Sequence, residues 1–486
     1  MRVLKRFGLP RFTRCFAGAG AEATRACGSR PRPGARRVRV AVSIMGAGLA
    51  LPRREPDAPS PSGGGVTGPP DIGAHSSACT LGDEYRDVDS FTLLDVLGFG
   101  AMGKVRLVRH KRTGLHFALK AVAKDTVTHR GTRAARLVIA ERDALSALER
   151  SPHDRVARMF AHFQDATSLY ILLEYVPGGE LRSKMRRHGR FSEEVTRFFV
   201  AAVATAIDHL HAVVGVAHRD IKPENVLLDD RGYPKLCDLG SCARLLSVRD
   251  PNDDADSNPR RAGRSYTAVG TPEYLAPEVI DPAAGRLDLS PTSRTSGYDA
   301  RAVDWWALGV LAFEMTHGRP PFRASNVHAL YRAIAAGDVR YSKRVTADFV
   351  DVVGRRGFMA RDPSKRLGVR GFGGPPRLLR ALGDAPGRVF GFIVGGGGTR
   401  AIRSTMPAIK REAWFSGVDW DGLEKGRVRA PIPVRLPDGD GDASNYREVD
   451  ERRDGVGRDV RAAPAPPSSP SFGSVDRVAD YSFDDW

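Results

Sequence analysis

The sequence contains no long hydrophobic run and no organised set of cysteines. No stretch approaches 18 uncharged apolar residues, so we expect no membrane-spanning helix. The 486 residues include five cysteines, whose odd number and spacing favour neither a disulfide framework nor a zinc site. We therefore expect reduced thiols in an intracellular protein. A chain of this length is expected to form two or three folded units rather than one small core.

Acidic residues are almost missing from the first 54 positions, which carry thirteen Lys or Arg and one acid, Glu22. The net charge of +18 is therefore concentrated at this end. Such a segment is compatible with a disordered basic leader, an organellar transit peptide, or a tether for nucleic acid, which is the least expected of the three. The Pro, Gly and Ser content that follows predicts disorder over residues 1–88. We expect a cytoplasmic location, with organellar targeting as the alternative.

From Phe91 onward, the hydrophobic pattern predicts a small antiparallel-sheet unit with one main helix, followed by a larger helical unit. The fold class is therefore α+β. Strands are predicted in 91–110 on both sides of a turn and at 115–124, 156–163 and 169–175, and helices at 133–148, 191–211, 302–317 and 325–336. The predicted domains are 91–176 and 177–417, with insertions near 244–263, 281–297 and 369–405, and a partly disordered tail at 418–486.

The turn between the first two strands is rich in glycine, with Gly98, Gly100 and Gly103 followed by Val105. Glycines allow a backbone to lie close to a polyphosphate and to offer its N–H groups as donors. A glycine cluster alone is a weak signal, but here a strand follows rather than the helix of a dinucleotide site. Val105 is then placed to pack on an adenine ring. The pattern favours ATP over a dinucleotide.

Lys120 lies inside the apolar segment FALK. A buried ammonium is costly without a counter-charge, and Glu141 in the following helical segment is the natural partner. The pair could be purely structural. Because a glycine-rich turn precedes it, we interpret Lys120 as a phosphate-binding residue that Glu141 holds in place.

The segment HRDIKPENVLL at 218–228 crowds polar residues into a few positions before a strand. Phosphoryl transfer requires an aligned acceptor hydroxyl and magnesium ions that screen the phosphates. Asp220 is suited to accept the hydroxyl proton, and Lys222 to neutralise the migrating phosphoryl group. Asn225 and Asp238, the latter in the nearby CDLG, offer the hard oxygen donors that Mg²⁺ prefers.

These motifs together resemble the eukaryotic protein kinase family from about Phe91 to Trp420. The likeness rests on GFGAMGKV, FALK, Glu141, HRDIKPEN, DLG, APE, DWWALG and RDPSKRLG. EYVPGGEL, GTPEYLAPEV and AWFSGVDW resemble the AGC group, and cyclic-nucleotide-dependent kinases in particular. The resemblance implies a bilobal fold and a Ser/Thr protein kinase that uses ATP and Mg²⁺.

The resemblance also implies roles for individual residues. Arg366 should pair with Glu278, Asp304 should brace the catalytic loop, and Leu173 should be the gatekeeper beside the adenine. A regulatory stack should contain Leu145, Met159, His218 and Leu239. Glu174 and Val176 should bind adenine through their backbones. The implied nucleotide contacts are Leu97, Gly98, Phe99, Gly100, Ala101, Met102, Gly103, Lys104, Val105, Ala118, Lys120, Glu174, Val176, Glu180 and Leu227.

Glu180, Glu224 and Glu314 match positions that bind basic substrate residues in cyclic-nucleotide-dependent kinases. The resemblance therefore implies protein substrates with Arg or Lys two and three residues upstream of the Ser or Thr. These three acids could also be ordinary surface residues. Any cyclic-nucleotide control would require a separate regulatory subunit. A catalytically weak or dead kinase-fold scaffold is the alternative function, although Lys120 and Asp220 are both present.

Two regulatory phosphorylation sites are also implied. Thr267 matches the activation-loop residue that an upstream kinase phosphorylates, and Arg219 is placed to bind the phosphate on Thr267. Near the C-terminus, VADYSF resembles the hydrophobic motif that docks on the small lobe, with Ser482 as the modified residue. Val478 stands where an aromatic residue is usual, so a plain disordered end is the alternative.

Overall fold

The computed structural model describes residues 85–100, 102–245, 264–265, 269–281, 286–287, 297–369, 403–436, 443–446, 483 and 486. The three predicted insertions lie almost entirely outside these ranges. So do the N-terminal tail as far as residue 84 and most of the C-terminal tail.

A five-stranded antiparallel sheet forms the first unit, with strand order β1-β2-β3-β5-β4. Its strands are β1 (Phe91–Phe99), β2 (Lys104–His110), β3 (His116–Ala123), β4 (Met159–Gln164) and β5 (Ser168–Glu174). β3 is central, and its Lys120 lies opposite Val105 on β2 and Ile171 on β5. This register places Lys120 beside the glycine-rich turn, as the sequence predicted.

Two helices connect β3 to β4: α1 (Lys124–Arg130) and α2 (Thr132–Arg150). The prediction for α2 is confirmed, and its buried residues include Val138, Glu141 and Leu145. α1 was not predicted, and Lys124 begins this helix instead of ending β3. Three consecutive β-branched residues follow Asp125, and such residues have low intrinsic helix propensity. Burial of Val127 against the small unit stabilises α1 instead.

The second unit is mainly helical and includes the predicted helices, together with shorter ones that the sequence pattern did not reveal. Its helices are α3 (Leu181–His188), α4 (Glu193–His209), α5 (Ala300–His317), α6 (Val327–Ala336), α7 (Ala347–Val353), α8 (Met406–Ile409) and α9 (Trp420–Glu424). Short strand pairs also occur: β6 (Val216–Ala217) with β9 (Ala243–Arg244), β7 (Val226–Leu228) with β8 (Pro234–Leu236), β10 (Arg264–Ser265) with β13 (Tyr298–Asp299), and β11 (Ile280–Asp281) with β12 (Arg286–Leu287).

The interior of the helical unit is built around α4 and α5. Side chains at the helix starts accept hydrogen bonds from backbone amides: Ser192 caps α4 and Asp299 caps α5. Trp305 and Trp306 on α5 are fully buried. By length and composition, the helical stretch Glu193–Val214 is apolar enough to cross a membrane, but 67% of its apolar window is buried inside the protein. The core helix of a folded protein passes the same test.

A buried ion pair links the segment before α5 to the segment after α7. The guanidinium of Arg366, fully inaccessible, donates to both carboxylate oxygens of Glu278 at 2.6 and 2.9 Å. It also donates to the carbonyls of Ala360 and Ala302. The expected pairing is thus confirmed. Because four of its five N–H donors are used, the cost of burying this charge is offset by short, charge-assisted hydrogen bonds.

Two residues near the C-terminus dock on the small unit. The indole N–H of Trp486 donates to the Phe163 carbonyl at 2.8 Å, and the guanidinium of Arg142 on α2 lies 5.5 Å from a Trp486 ring centroid. The Phe483 carbonyl accepts a hydrogen bond from the Gln164 amide at 2.8 Å. Phe483, the last residue of the predicted docking motif, therefore docks, and Trp486 joins it although the sequence did not indicate it. Val478 and Ser482 lie outside the described residues.

Trp486→Ala should lower the free energy of unfolding by about 1–3 kcal/mol, because a partly buried indole, its hydrogen bond and its cation–π contact are lost together. Urea unfolding followed by circular dichroism measures the change. Leu436→Ala is a matched control, since that side chain is exposed, and a change below about 0.5 kcal/mol is expected there. Equal effects of the two substitutions would contradict the docking.

Candidate active site

The glycine-rich turn between β1 and β2 is closed by a backbone hydrogen bond from the Gly100 amide to the Gly103 carbonyl, 2.8 Å long. A Cβ atom at Gly103 would lie 2.2 Å from the Ala121 carbonyl oxygen, so only glycine fits there. Nothing lies within 4 Å of a Cβ built on Gly98. The Lys104 ammonium lies over the exposed ring of Phe99, and Met102 packs toward α2. Ala101 lies outside the described residues.

An apolar cluster includes residues of the two strands that flank this turn. Five of the side chains predicted to surround the adenine belong to one cluster: Leu97, Val105, Ala118, Leu173 and Leu227. Two further members, Ala443 and Tyr446, come from the C-terminal region and were not predicted. The only indication of this contact in the sequence was that Tyr446 is an aromatic residue within a polar stretch. The cluster therefore contains residues of both units and of the C-terminal region.

The segment connecting the two units carries backbone groups next to this cluster, which includes Leu173 and Tyr175. The Glu174 amide donates to the Arg158 carbonyl at 2.8 Å and is therefore not available to a nucleotide. The hydroxyl of Tyr446 donates to the Val176 carbonyl at 2.6 Å. Of the two backbone groups of Val176, the amide is thus the better placed to bind an adenine.

A buried ion cluster joins β3, α2 and the loop after β8. The ammonium of Lys120 lies 2.6 Å from Glu141 and 3.1 Å from Asp238. Burial acts to lower the pKa of Lys120, but the two carboxylates outweigh it, and the pKa is raised. The Lys120 charge lowers the pKa of Asp238 to about 2. Lys120 and Asp238 are therefore both charged at neutral pH, as phosphate binding and metal binding require.

Around Asp220, polar groups converge from the catalytic loop and the segment beyond it. Lys222 donates to one carboxylate oxygen at 2.8 Å, and the Asn225 side-chain amide donates to the same oxygen at 3.0 Å. Thr271 donates to the other oxygen at 3.3 Å. The sequence prediction that Asp220, Lys222 and Asn225 act together is matched by these contacts. The carboxylate is held in one orientation while 12% of its side chain stays accessible.

The loop that carries Asp220 is fixed by Asp304 on α5, which is completely buried. One oxygen of Asp304 accepts the Arg219 amide at 2.6 Å, and the other accepts the His218 amide at 2.8 Å and contacts His211. Arg219 has a φ of 65°, a conformation that costs energy for a residue with a side chain. The expected bracing by Asp304 is confirmed, and it stabilises this strained backbone.

The side chains at Asn225 and Asp238 fit a magnesium ion. The Asn225 amide nitrogen is engaged by Asp220, which leaves its oxygen as the group that can face a cation. The charged Asp238 side chain is 37% exposed, so a cation can reach its carboxylate. A carboxylate and an amide oxygen are hard donors of the kind that Mg²⁺ selects. No cluster of three or more His, Cys, Asp or Glu in metal-binding geometry occurs among the described residues.

Comparison with known proteins identifies the family. Residues 91–372 match the protein kinase domain. The chain belongs to the protein kinase family. It is 32% identical over 364 residues to the human "cAMP-dependent protein kinase catalytic subunit PRKX", covering 75% of this chain and 82% of that protein. It is also similar to the Drosophila melanogaster "Serine/threonine-protein kinase tricornered", with 31% identity over 78% of this chain and 75% of that protein.

A third relative is "Protein kinase 3" of Dictyostelium discoideum, which is 37% identical over 59% of this chain. The matched part spans only 29% of that protein. These relatives place the chain among the Ser/Thr kinases of the AGC group. The bilobal α+β fold expected from the sequence is thereby confirmed.

Two of the three acids predicted to bind substrate pair with an arginine of the kinase itself. Arg182 on α3 donates to Glu224 at 2.8 Å and to Glu314 at 2.6 Å. Tyr274 donates to the second oxygen of Glu314. The carboxylate of Glu180 makes no hydrogen bond or ion pair among the described residues. The sequence pattern thus located the acids but did not reveal that two of them are already paired.

The expected regulatory stack of the kinase is buried: Leu145, Met159 and Leu239 belong to one apolar cluster, and His218 is fully inaccessible. Arg219, expected to bind a phosphate on Thr267, donates instead to the carbonyls of Ser241 and Cys242 and to the Ser265 hydroxyl. Thr267 lies outside the described residues. The contact of Arg219 with a phosphate on Thr267 therefore stays a prediction.

Asp304→Ala should lower the free energy of unfolding of the kinase by about 3 kcal/mol or more, because two amides and His211 lose a buried acceptor. Chemical denaturation measures this loss. Asp299→Ala, at the start of the same helix, removes a helix cap and a partly exposed ion pair with Arg301, and should cost about 1–2 kcal/mol. If both variants are destabilised equally, Asp304 does not brace the loop as described.

Proposed function

We propose that this protein kinase is catalytically active and transfers the γ-phosphoryl group of ATP to Ser or Thr of protein substrates. The observations that support this proposal are the contact of Lys120 with Asp238 and the contacts of Asp220 with Lys222 and Asn225. The two segments are joined by a hydrogen bond from the Cys237 amide to the Asn225 carbonyl. A scaffold without activity is the alternative. It is disfavoured because each of these five side chains has the chemistry that the reaction needs.

Each group has a defined task in this proposal. The amides of the glycine-rich turn and the charged Lys120 bind the phosphates, while Glu141 keeps Lys120 in position. Asp220 orients the acceptor hydroxyl and accepts its proton, which raises the nucleophilicity of the oxygen. Lys222 lies 2.8 Å from Asp220 and neutralises charge on the transferred group.

Asn225 and Asp238 would hold Mg²⁺, whose positive charge screens the phosphates of bound ATP. The low pKa of Asp238 keeps its carboxylate available for this task over the physiological pH range. The adenine would pack against the apolar cluster that contains Leu97, Ala118 and Leu227, and it would accept a hydrogen bond from the Val176 amide.

Asp220→Asn should reduce kcat by about a hundredfold or more, because the amide cannot accept the hydroxyl proton, while ATP affinity should change little. Radiolabelled phosphate transfer to a basic peptide and a separate MgATP binding measurement test both parts. Asp230→Asn is the matched control, an exposed aspartate close by in sequence. Undiminished transfer by Asp220→Asn, or no MgATP binding by the wild type, would refute the proposal.

We further propose that the substrates carry basic residues upstream of the acceptor. The supporting observation is the group of three carboxylates, Glu180, Glu224 and Glu314, around α3. Carboxylates attract arginine, which they bind through paired hydrogen bonds. Glu180 is the acid that forms no ion pair with any residue that the structure describes, so its charge is the one best placed to attract a peptide.

The affinity for basic peptides should depend on pH near neutrality. Burial, together with the nearby Glu224, raises the pKa of Glu180 to about 7, although Arg186, Arg182 and Lys222 oppose the shift. Below that pH Glu180 is protonated and loses its attraction for a cation. KM for an arginine-containing peptide should therefore rise by about threefold to tenfold as the pH falls from 8 to 6.

A peptide with alanine in place of arginine should show no such dependence, and Glu180→Gln should remove it from the basic peptide. Steady-state kinetics with both peptides give the comparison. An identical pH profile for the two peptides would show that Glu180 does not bind the basic residue of the substrate.

A further inference from the structure

Arg182 lies at the second position of α3, where its guanidinium bridges two acids from distant parts of the chain. Its Nε donates to Glu224 Oε1 at 2.8 Å, and its Nη1 donates to Glu314 Oε1 at 2.6 Å. The two acids are 42 and 132 residues away from it in sequence. A bridging guanidinium in this place satisfies the same acceptors that an arginine of a substrate would use.

Neither carboxylate oxygen of Glu314 is available to a substrate from the solvent. Its first oxygen is taken by Arg182, and its second by the Tyr274 hydroxyl, with a longer contact to Arg182 Nη2 at 3.5 Å. Its side chain is only 7% exposed. A peptide arginine could pair with Glu314 only by displacing Arg182, which would leave that guanidinium without its partner.

Glu224 and Glu180 differ from Glu314 in this respect. Glu224 uses one oxygen for Arg182, while its second oxygen, Oε2, is buried and accepts no hydrogen bond among the described residues. Glu180 is half-buried and makes no ion pair there. Arg182 therefore pairs with two of the three carboxylates, and Glu180 is the acid whose charge has no ion-pair partner among the described residues.

We propose that Arg182 is a specificity-determining residue that occupies, from within the chain, the place of one basic substrate residue, so that this kinase reads one upstream cation rather than two. The inference rests on the proposed preference for basic substrates and refines it. The first peptide arginine binds at Glu180. A second arginine meets the positive charge of Arg182 and gains little, since like charges in a partly buried place repel.

The test uses the full-length protein and four peptides that differ only upstream of the acceptor: no arginine, one arginine at either of two positions, or both. For the wild type, one arginine should lower KM clearly, and the second should add less than about threefold. In Arg182→Leu, the second arginine should lower KM by about tenfold, with little change in kcat, because Glu224 and Glu314 become available.

Two further variants make the result specific. Arg182→Lys retains a charge between the acids and should behave as the wild type does. Arg186→Leu removes an exposed arginine from the same helix, one that makes no ion pair with either acid, and should change KM for the singly and doubly basic peptides alike. Should Arg182→Leu fail to fold, the wild-type peptide series still decides, since a strong requirement for both arginines overturns the proposal.

An unchanged ratio between doubly and singly basic peptides in Arg182→Leu would also overturn it while leaving the basic preference intact. Equal use of all four peptides by the wild type and by Arg182→Leu would instead refute the basic preference itself. The role of Arg182 would fall with it. The two failures are therefore distinguishable.

Discussion

The buried contact of Lys120 with Glu141 and Asp238 is the interaction on which the site depends. Lys120 comes from the central strand, Glu141 from α2 and Asp238 from the loop after β8. A lone buried charge would be strongly destabilising, so Lys120 and Glu141, which are both almost fully buried, are tolerated only when they are paired. The sheet, the helix and the loop therefore adopt their working arrangement together.

A second buried charge has the corresponding role in the helical unit. Asp304 is inaccessible, yet it accepts hydrogen bonds from two consecutive amides and contacts His211. It holds Arg219 in its left-handed conformation, and Asp220 follows directly. Reactive groups on loops are thus positioned by carboxylates and amines anchored in regular elements. This division explains how an irregular segment can present groups at fixed distances.

The local chemistry of the site was predictable from the sequence, because motif spacing places Lys120, Asp220 and Asp238 in a known order along strands and turns. The main strands and long helices followed from hydrophobic periodicity. Tertiary contacts were not predictable in the same way. α1 forms against its own propensity, and Tyr446 reaches Val176 across 270 residues. Trp486 bonds Phe163 across 323 residues, and nothing near either aromatic residue in sequence specifies that partner.

Tyr446 also has a consequence for inhibitor chemistry. Its hydroxyl covers the Val176 carbonyl, and its ring is part of the apolar wall around Leu97 and Ala118. A flat heterocycle that binds here could not use the Val176 carbonyl, which already accepts a hydrogen bond from Tyr446. It would instead contact the Tyr446 ring. A compound that binds beside Val176 would therefore contact residues 443–446 as well as the catalytic motifs, so its affinity would depend on both parts of the sequence.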